Sequence, residues 1–497
     1  MLLAIPVLLP LATAIALHLL PHRPGLLRPV AFAGSLCHLA AAVAILLGVE
    51  AQGIQVLQVG AWPAPFGITL VADTLSALLL SMTALIGVAI TASSFAGVDP
   101  RREAFGYHAL IHVLLMGVSG AFLTGDIFNL YVWFEVMLVA SFVLMSLHRT
   151  RPQLQAAFTY VGLNLLASAF LLTAIGLLYG QAGTLNLADL ARSWPERRTA
   201  GLDAVLSMLF LTAFGTKAAL FPLFFWLPAS YHTPPAAVGA LMAGLLTKVG
   251  VYSMTRVFTL LFPDPSAPVY ALILVLSSLT MVIGLVGALG QHDFRRVLSF
   301  NLVGHIGFTT VGLAMWTPAA LGGSILYMLH HMLVITNLFL LRGLFLRQRR
   351  TADLAALGGL YRTQPVVAFI AMVPLFSLAG VPPLSGFIAK LAVVGGAMKA
   401  EQYWVAAVAL VASLLTIVSM ARLWDEAFWK PSPASPPKGK LGPAIIAPVA
   451  LLAVLTLGMT VAAGPLYALS TRAAGELIDR GGYIRAVLGE EANRASR

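Results

Sequence analysis

Four ionisable residues lie deep inside long apolar runs of the sequence. Glu135 lies within NLYVWFEVMLVASFVLM, Lys217 within LFLTAFGTKAALF, Lys248 within ALMAGLLTKVGVYSM and Lys390 within LSGFIAKLAVVGG. Placing each of them at membrane depth costs on the order of 2.5–3.5 kcal/mol, so that all four unpaired would cost roughly 10–14 kcal/mol. A chain that keeps them must pair or hydrate them, and such residues are typical of proton and ion pathways.

A carboxylate and an amine in such a place can work as a proton switch. Pairing of Glu135 with a lysine stabilises both charged forms, whereas removal from water stabilises both neutral forms. A pair that is made and broken in turn therefore takes up and releases a proton, which is a physical basis for pumping. The alternative for Lys217 and Lys390 is that their amines reach out to lipid headgroups.

Histidines form a second group of candidate proton carriers. His330 and His331 lie in LYMLHHMLVITNLFL, and His305 lies in NLVGHIGFTTV. Histidine titrates near neutral pH and suits a relay; the alternative is a structural hydrogen bond to a backbone carbonyl. Asp126, near the end of another apolar run, could be a carboxylate at the mouth of a pathway or a helix cap.

The composition indicates that these residues lie in a membrane-embedded chain. Of the 497 residues, 59% are apolar and 10% are charged, against about 25% charged in an ordinary soluble domain. The mean hydropathy is +0.90. The sequence therefore predicts an all-α polytopic membrane protein, and excludes a cytosolic enzyme, a secreted disulfide scaffold and a nucleic-acid-binding domain. The net charge of +11 comes from basic residues in short loops between apolar runs.

Motifs for a bound group are missing from the sequence. Cys37 is the single cysteine, so the chain can form no internal disulfide and no multi-cysteine metal site. No HExxH, CxxC or dinucleotide fingerprint occurs, and the GTK at 215–217 lacks the spacing of a phosphate loop. We predict no cofactor and no metal centre.

The apolar runs predict about fourteen transmembrane helices, because one span needs roughly 20 apolar residues. The longest polar connections are 181–202, 342–364 and 430–441, and the tail after Thr471 is expected to be amphipathic. The expected spans are 2–20, 29–49, 70–97, 106–124, 127–147, 157–180, 203–226, 232–261, 268–289, 297–316, 320–341, 365–396, 403–429 and 442–470.

Two spans, the seventh and the twelfth, carry breaking residues. The first reads FGTKAALFPLFFWLPASYHTPP and the second LAGVPPLSGFIAK. Proline removes a backbone donor, and unpaired backbone at membrane depth persists only against protein or a hydrated cavity. The breaks could be simple kinks. Their separation by five helices, each near a lysine, favours two inverted five-helix repeats of the kind found in ion transporters.

The loops predict an orientation. With the N-terminus placed outside, 17 of the 30 Lys and Arg residues fall in or beside inside loops and 5 in outside loops. Basic residues concentrate on the cytoplasmic side of membrane proteins. We therefore expect a multi-pass protein with both termini outside.

Several long stretches resemble one family, the antiporter-like subunits shared by respiratory complex I and the multisubunit Mrp cation/proton antiporters, and most of all its D-type members. The resemblance covers almost the whole chain. The stretches are GAWPAPFGITLVADTLSALL, FLTGDIFNLYVWFEVMLVASFVLM, GTLNLADLA, FFWLPASYHTPPAAVGALMAGLLTKVG and SLAGVPPLSGFIAK.

The resemblance implies residue roles. The family's fifth-span glutamate falls on Glu135, its seventh-span lysine on Lys217 and its eighth-span lysine on Lys248; its twelfth-span lysine falls on Lys390 and its eleventh-span histidine on His330. Family members often carry lysine where Ile335 stands here, so that a relay there must use His330, His331 or water. His305 is a candidate local substitute.

These implications give the expected function: a proton-translocating subunit of a multisubunit sodium/proton antiporter in the bacterial cytoplasmic (inner) membrane, and not an enzyme. Protons are expected to move through buried Glu, Lys and His side chains and water. The implied partners are the other Mrp subunits (A, B, C, E, F and G), membrane lipid, protons and, as a further candidate, Na⁺; no nucleic acid is expected. The rival interpretations are a proton-pumping subunit of a complex I-like or hydrogenase complex, a sealing scaffold and a stand-alone carrier. The expected divisions are spans 1–3 (1–105), a first repeat (106–262), a second repeat (263–430) and the last span with the tail (431–497).

Overall fold

Helices make up nearly all of the computed structural model, which describes residues 1–21, 23–96, 98–147, 149–349, 351–431 and 441–489. The helices are α1 Ile5–Leu19, α2 Pro24–Gln52, α3 Thr74–Ser94, α4 Pro100–Ala104, α5 Tyr107–Leu123, α6 Ile127–Ser146, α7 Arg151–Ala182, α8 Leu187–Arg197, α9 Ala200–Ala218, α10 Trp226–Ser230, α11 Ala236–Leu261, α12 Pro268–Leu289, α13 Phe294–Met315, α14 Pro318–Arg349, α15 Leu360–Thr363, α16 Pro365–Ala379, α17 Ser385–Lys399, α18 Tyr403–Trp424, α19 Pro443–Val461, α20 Ala463–Ile478 and α21 Arg480–Leu488. Two strands, β1 Gln55–Gln58 and β2 Thr69–Ala72, pair as an antiparallel hairpin.

The predicted all-α polytopic architecture is confirmed. Among the described residues, twelve helices are long and apolar enough to cross a membrane, and α5 and α16 are shorter apolar helices. The core sits around α11, α13 and α14, because the apolar window of α14 is wholly buried and those of the other two nearly so. The count of fourteen spans, the inverted repeats and the four-part division stay predictions.

Some residues that contribute to these predictions lie outside the part of the chain that the structure describes. They are Arg350, Lys438, Lys440, Arg494 and Arg497, together with segments 432–440 and 490–497 of the last predicted division.

Two predicted spans, the third and the last, each join a helix to a neighbouring element that the structure separates from it. The third span was expected over 70–97, but Leu70–Ala72 belong to β2, whose residues pair with Gln55–Gln58, and the helix begins at Thr74. An apolar strand entering a helix reads as one continuous apolar run, which explains the error. The last span was expected over 442–470, but α19 ends at Val461 and a separate helix follows.

Both expected breaks are present, and protein groups satisfy their backbone. α9 ends at Ala218; the Trp226 indole N–H donates to the carbonyl of Thr216, 2.8 Å away, and the Phe221 N–H donates to Thr280 Oγ1 at 2.9 Å. α16 ends at Ala379, where Gly380 takes a φ of +86°. Irregular backbone at this depth needs such partners, because water and lipid cannot supply them.

Loops that were expected on the same side of the membrane contact one another. Arg28 donates to the Val98 carbonyl (3.3 Å) and Lys430 to the Ala355 carbonyl (3.1 Å). We call this end of the bundle the Arg28 face. At the opposite end, the Asp73 face, Arg480 donates to the carbonyl of Leu260 at 3.3 Å. The contacts therefore agree with the predicted alternation of the loops.

A small pairing motif recurs at the two faces. On the Asp73 face, Asp126 caps α6 and forms an isolated antiparallel bridge with Asn186. On the Arg28 face, Asp293 caps α13 and forms the same kind of bridge with Asp353. The recurrence at opposite ends supports the inverted-repeat prediction.

The C-terminal helices α20 and α21 lie across the Asp73 face. Glu476 accepts hydrogen bonds from the backbone N–H (3.0 Å) and hydroxyl (2.7 Å) of Thr74 at the start of α3. Arg480 donates to the carbonyl of Ala191 in α8 at 3.1 Å. The tail expected to be a surface segment is therefore bonded to early parts of the chain.

Candidate functional site

Lys217 lies in the last turn of α9, directly before the first break, and is 5% exposed. Its amine donates to Ser168 Oγ of α7 at 2.9 Å. The amine also lies 4.5 Å from the centre of the Phe134 ring. A hydroxyl oxygen and an aromatic face therefore hold the amine, and both are neutral.

Glu135 follows Phe134 on α6 but does not reach this lysine. Among the described residues, no ion pair within 4.0 Å joins Glu135 to Lys217, and the buried Oε1 atom of Glu135 has no hydrogen-bond partner. In this structure the two residues that were expected to form a switching pair are therefore not bonded to each other.

A small cavity adjoins the Lys217 amine. It has about 20 Å³ of space for the centre of a water molecule, and its walls include Tyr160, Asn164 and Trp226. A water molecule needs roughly 10–15 Å³ by this measure and two or more polar partners. The site can therefore hydrate the amine.

Lys248 lies in the middle of α11 and is 1% exposed. Its amine turns back along the helix and donates to the Ala243 carbonyl at 2.7 Å. The amine of Lys248 therefore also bonds to a neutral oxygen, and it points toward the Arg28 face.

The three predicted histidines form one buried group with a tyrosine. The Tyr327 hydroxyl and His305 Nδ1 are 2.5 Å apart, and the ring centres of His305 and His331 are 5.2 Å apart. The ring centre of His330 lies 5.7 Å from that of Tyr327. Both ring nitrogens of His331 lack a hydrogen-bond partner among the described residues. A buried polar atom without a partner calls for water or a mobile proton.

The second break brings His330 and Lys390 together. His330 Nδ1 lies 3.0 Å from Ser385 Oγ, which lies 3.0 Å from Ser377 Oγ. The Lys390 amine donates to the carbonyl of Ala379, the last residue of α16, at 3.0 Å. The lysine thus fills a backbone acceptor that the break leaves open.

Asp126 is a helix cap. Its Oδ1 accepts the backbone N–H of Asn129 at 2.7 Å. It lies at the Asp73 face, at the start of α6, and the structure does not join it to the buried lysines. The geometry favours the cap over a role at the mouth of a pathway.

The count of basic residues that gave the predicted orientation included Arg256 among the outside loops and Arg342 among the inside loops and their edges, but both are buried, which corrects the sequence interpretation. Arg256 pairs with Asp73 at 2.6 Å, with both side chains at most 3% exposed. Arg342 donates to the carbonyls of Tyr231 (3.1 Å) and Pro234 beside the first break. Each lies near the end of a span, where a basic residue cannot be told from a loop residue by position alone.

Sequence reasoning also missed a buried group between α2 and α5. His108 Nε2 lies 3.1 Å from Glu103 Oε1, which accepts Arg28 Nε at 2.7 Å. His112 Nε2 bonds to a backbone carbonyl, and His38 Nε2 lies 3.1 Å from a serine hydroxyl. The signal was the spacing of four between His108 and His112, which places them on one helix face.

Within the described ranges, no group of three or more His, Cys, Asp or Glu side chains could hold a metal ion. The buried amines and imidazoles instead bond to hydroxyl and carbonyl oxygens or have unpartnered ring nitrogens. Amines and imidazoles are groups that can accept and donate protons.

Comparisons with known proteins identify the family of the chain. Residues 124–416 fit a family model described as NADH:quinone oxidoreductase/Mrp antiporter, transmembrane. The D-type member of the Na(+)/H(+) antiporter of Alkalihalophilus pseudofirmus is 39% identical over 488 residues, covering 98% of this chain and 99% of that protein.

Solved structures share the fold over nearly the whole chain. A chain in the structure of the Mrp complex from Dietzia sp. has a TM-score of 0.92 and 35% identity, covering 98% of this chain and 99% of that one. A chain of respiratory complex I from Thermus thermophilus with bound NADH has a TM-score of 0.83 and 25% identity, covering 96% and 100%. The protein with this row of buried lysines and histidines therefore belongs to the NADH:quinone oxidoreductase/Mrp antiporter transmembrane family.

Proposed function

We propose that this chain is the proton-translocating subunit of a multisubunit Mrp-type sodium/proton antiporter. One observation carries the proposal: the amines of Lys217, Lys248 and Lys390 are buried, and each bonds to a neutral oxygen. Among the described residues none of the three has a carboxylate within 4.0 Å. Each amine can therefore take up or release a proton without breaking an ion pair.

The proposed path begins at the first break. When the Glu135 carboxylate approaches Lys217, the amine is favoured as an ammonium; when they separate, Ser168 holds the amine and the proton can leave through water in the adjoining cavity. Lys248 receives it next. The separated geometry seen here corresponds to the second of these two states.

The second half of the path uses the histidine group. We assign proton transfer from Lys248 to His331, whose two ring nitrogens are unpartnered, with His305 and Tyr327 as its neighbours. His330 and Lys390 complete the path at the second break. Because Ile335 is apolar, these imidazoles and water do the work that a lysine does in many relatives.

The exposed face of α6 supports membership of a larger assembly. Phe128, Val132 and Val139 are 43%, 36% and 62% exposed. Glu135 lies between the last two on α6 and is half-buried, with its Oε1 atom buried. A mid-span carboxylate at the edge of such an exposed face is costly against lipid. We infer that other Mrp subunits (A, B, C, E, F and G) supply the cover, as the Mrp complex match suggests.

We further propose that the Arg28 face lies in the cytoplasm and that both termini lie outside, in the cytoplasmic membrane. Single cysteines at positions 192 and 362, introduced into a Cys37→Ser chain, test this. A membrane-impermeant maleimide should label position 192 in intact cells and position 362 only in inverted vesicles. The reverse pattern would overturn the orientation.

Antiport by the whole complex in inverted vesicles, followed with a fluorescent ΔpH dye, tests the function. Lys217→Ala and Glu135→Ala should abolish antiport while native gels show normal assembly. Lys399→Ala, a change at an exposed lysine, is the control and should leave antiport intact. Full antiport by the two buried-site variants would move proton transport to another subunit.

A redox-driven complex is the second candidate, and the shared fold with complex I favours it. The higher identity to a D-type antiporter protein favours the first candidate. Purification of the native complex separates them: iron–sulfur or flavin absorbance in the purified material would support the redox complex, and its absence alongside Na⁺-dependent antiport would support the antiporter.

A further inference from the structure

One face of α11 carries three ionisable side chains at intervals of one turn. They are Lys248, Tyr252 and Arg256, and residues four apart lie on the same helix face. At about 1.5 Å per residue the column is roughly 12 Å long, close to the roughly 15 Å from the centre of a bilayer core to its edge. The column therefore runs along α11 from the backbone of the central lysine toward the Asp73 face, opposite to the direction in which the Lys248 amine points in this structure.

Arg256 lies at the Asp73-face end of this column and bonds to the polar side chains around it. Its guanidinium pairs with Asp73 at 2.6 Å and donates to Ser76 Oγ at 3.3 Å and to the Tyr252 hydroxyl at 3.4 Å. A guanidinium is a donor only and cannot accept a proton. The Tyr252 hydroxyl itself donates to the Phe122 carbonyl at 2.8 Å, so its own hydrogen is committed.

The C-terminal helices cover the outer end of the column. The Tyr483 ring centre lies 5.2 Å from the Arg256 guanidinium carbon. Glu476 bonds to Thr74 beside it, and Arg472 donates to Glu476 at 3.1 Å. The positive charge of Arg256 is thus fixed on one side by Asp73 and covered on the other by an aromatic ring.

We propose that Arg256 is an electrostatic barrier that stops a proton on Lys248 from passing directly along α11 to the Asp73 face. The proton must then continue to His331, and so to Lys390. This inference rests on the proton path proposed above, and it gives a role to Arg256, a residue that takes part in no step of that path. Without the barrier, the first half of the chain would conduct protons across the membrane without exchange.

Two properties of the guanidinium make it suited to this task. The first is its charge: without it Asp73 is left unpaired and the site becomes one unit more negative, and one unit charge at about 12 Å inside a membrane protein changes a cation's equilibrium by roughly tenfold. The second is that its hydrogens occupy the oxygens of Ser76 and Tyr252, which would otherwise join with water into a conducting chain. Loss of the side chain frees those oxygens and the Asp73 carboxylate together.

The test is the passive proton leak of vesicles that contain the whole complex. A pH gradient is imposed in the absence of Na⁺ and its decay is followed with a fluorescent dye. Arg256→Ala should speed the decay by about tenfold over wild type. Arg256→Lys keeps the charge and should stay tight, and Asp73→Asn breaks the same ion pair but leaves the arginine, so it should stay tight as well.

These variants distinguish an electrostatic role of Arg256 from a purely structural one. Equal leaks through Arg256→Ala, Arg256→Lys and Asp73→Asn would mean that a loosened fold conducts, and would overturn the proposal, as would a tight Arg256→Ala. If Arg256→Ala does not assemble, Arg256→Gln replaces it with the same expectation.

A double variant tests whether the proton leak of Arg256→Ala starts at Lys248. Lys248→Met in the Arg256→Ala chain should restore a tight membrane, because the leak would start at Lys248; a persistent leak would overturn the route. The leak needs no antiport, so failure of this proposal is distinguishable from failure of the proposed function, which Glu135→Ala and Lys217→Ala test.

Discussion

Replacing Gly250 with alanine should displace Lys217 without removing any polar group. Gly250 of α11 packs against the end of α9: an added Cβ would lie 2.6 Å from the backbone nitrogen of Ala218 and 2.8 Å from the carbonyl carbon of Lys217. Ordinary contact begins at 3.4 Å, so the two backbones must separate by about 0.8 Å. The Lys217 amine would shift relative to Ser168 with them.

The expected cost in folding stability is small, whereas the expected cost in transport rate is large. Overpacking of this kind costs about 1–3 kcal/mol. Alanine in place of glycine within a helix returns about 1 kcal/mol, so the net loss of stability should be at most about 2 kcal/mol and the fold should persist. A misplacement near 1 Å at a reacting group can cost roughly a hundredfold in rate. We expect antiport to fall at least about tenfold.

The assay is antiport by the assembled complex in inverted vesicles, with assembly checked on native gels. Gly162→Ala on α7 is the control, because an added Cβ there meets no atom within 4 Å. Wild-type antiport by Gly250→Ala would refute the importance of the position of Lys217. Failure to assemble would refute the energy argument instead.

Two further variants test individual buried hydrogen bonds. Trp226→Phe removes the indole donor to the Thr216 carbonyl, which keeps only the Ala219 N–H at 3.0 Å. The loss of one hydrogen bond should lower thermal stability by about 0.5–1.5 kcal/mol in melting of the purified complex; an unchanged melting temperature would contradict this. Tyr327→Phe leaves His305 Nδ1 unpartnered and should slow antiport at normal assembly in the same vesicle assay, whereas an unchanged rate would remove Tyr327 and His305 from the proton path.

Much of the fold follows from the sequence because a membrane leaves few choices. An apolar run of span length must be a helix, so most span positions were predictable, as were the two breaks marked by proline and glycine. A lysine at the centre of such a run, such as Lys248, is too far from either end of the span for its amine to reach the membrane surface. Its burial therefore follows from its position alone.

Other features depend on partners far along the chain. Arg256 is buried because Asp73, 183 positions earlier, lies beside it, and no local pattern announces that pairing. The hairpin of β1 and β2 was missed because its apolar residues run directly into α3. The distance between Glu135 and Lys217 depends on how α6 and α9 pack, which spacing within either helix cannot give.

The bonding of α20 and α21 across the Asp73 face has a consequence for biosynthesis. Arg256 leaves the ribosome more than 200 residues before Tyr483, the ring that covers it. At about 5–20 residues per second, the interval between them is roughly 10–45 seconds. During that time the Arg256–Asp73 ion pair of the newly inserted first half lies at the Asp73 face without the Tyr483 ring over it. The final helices of the nascent chain therefore complete the tertiary structure of its first half, and closure of this rim is a late event in maturation.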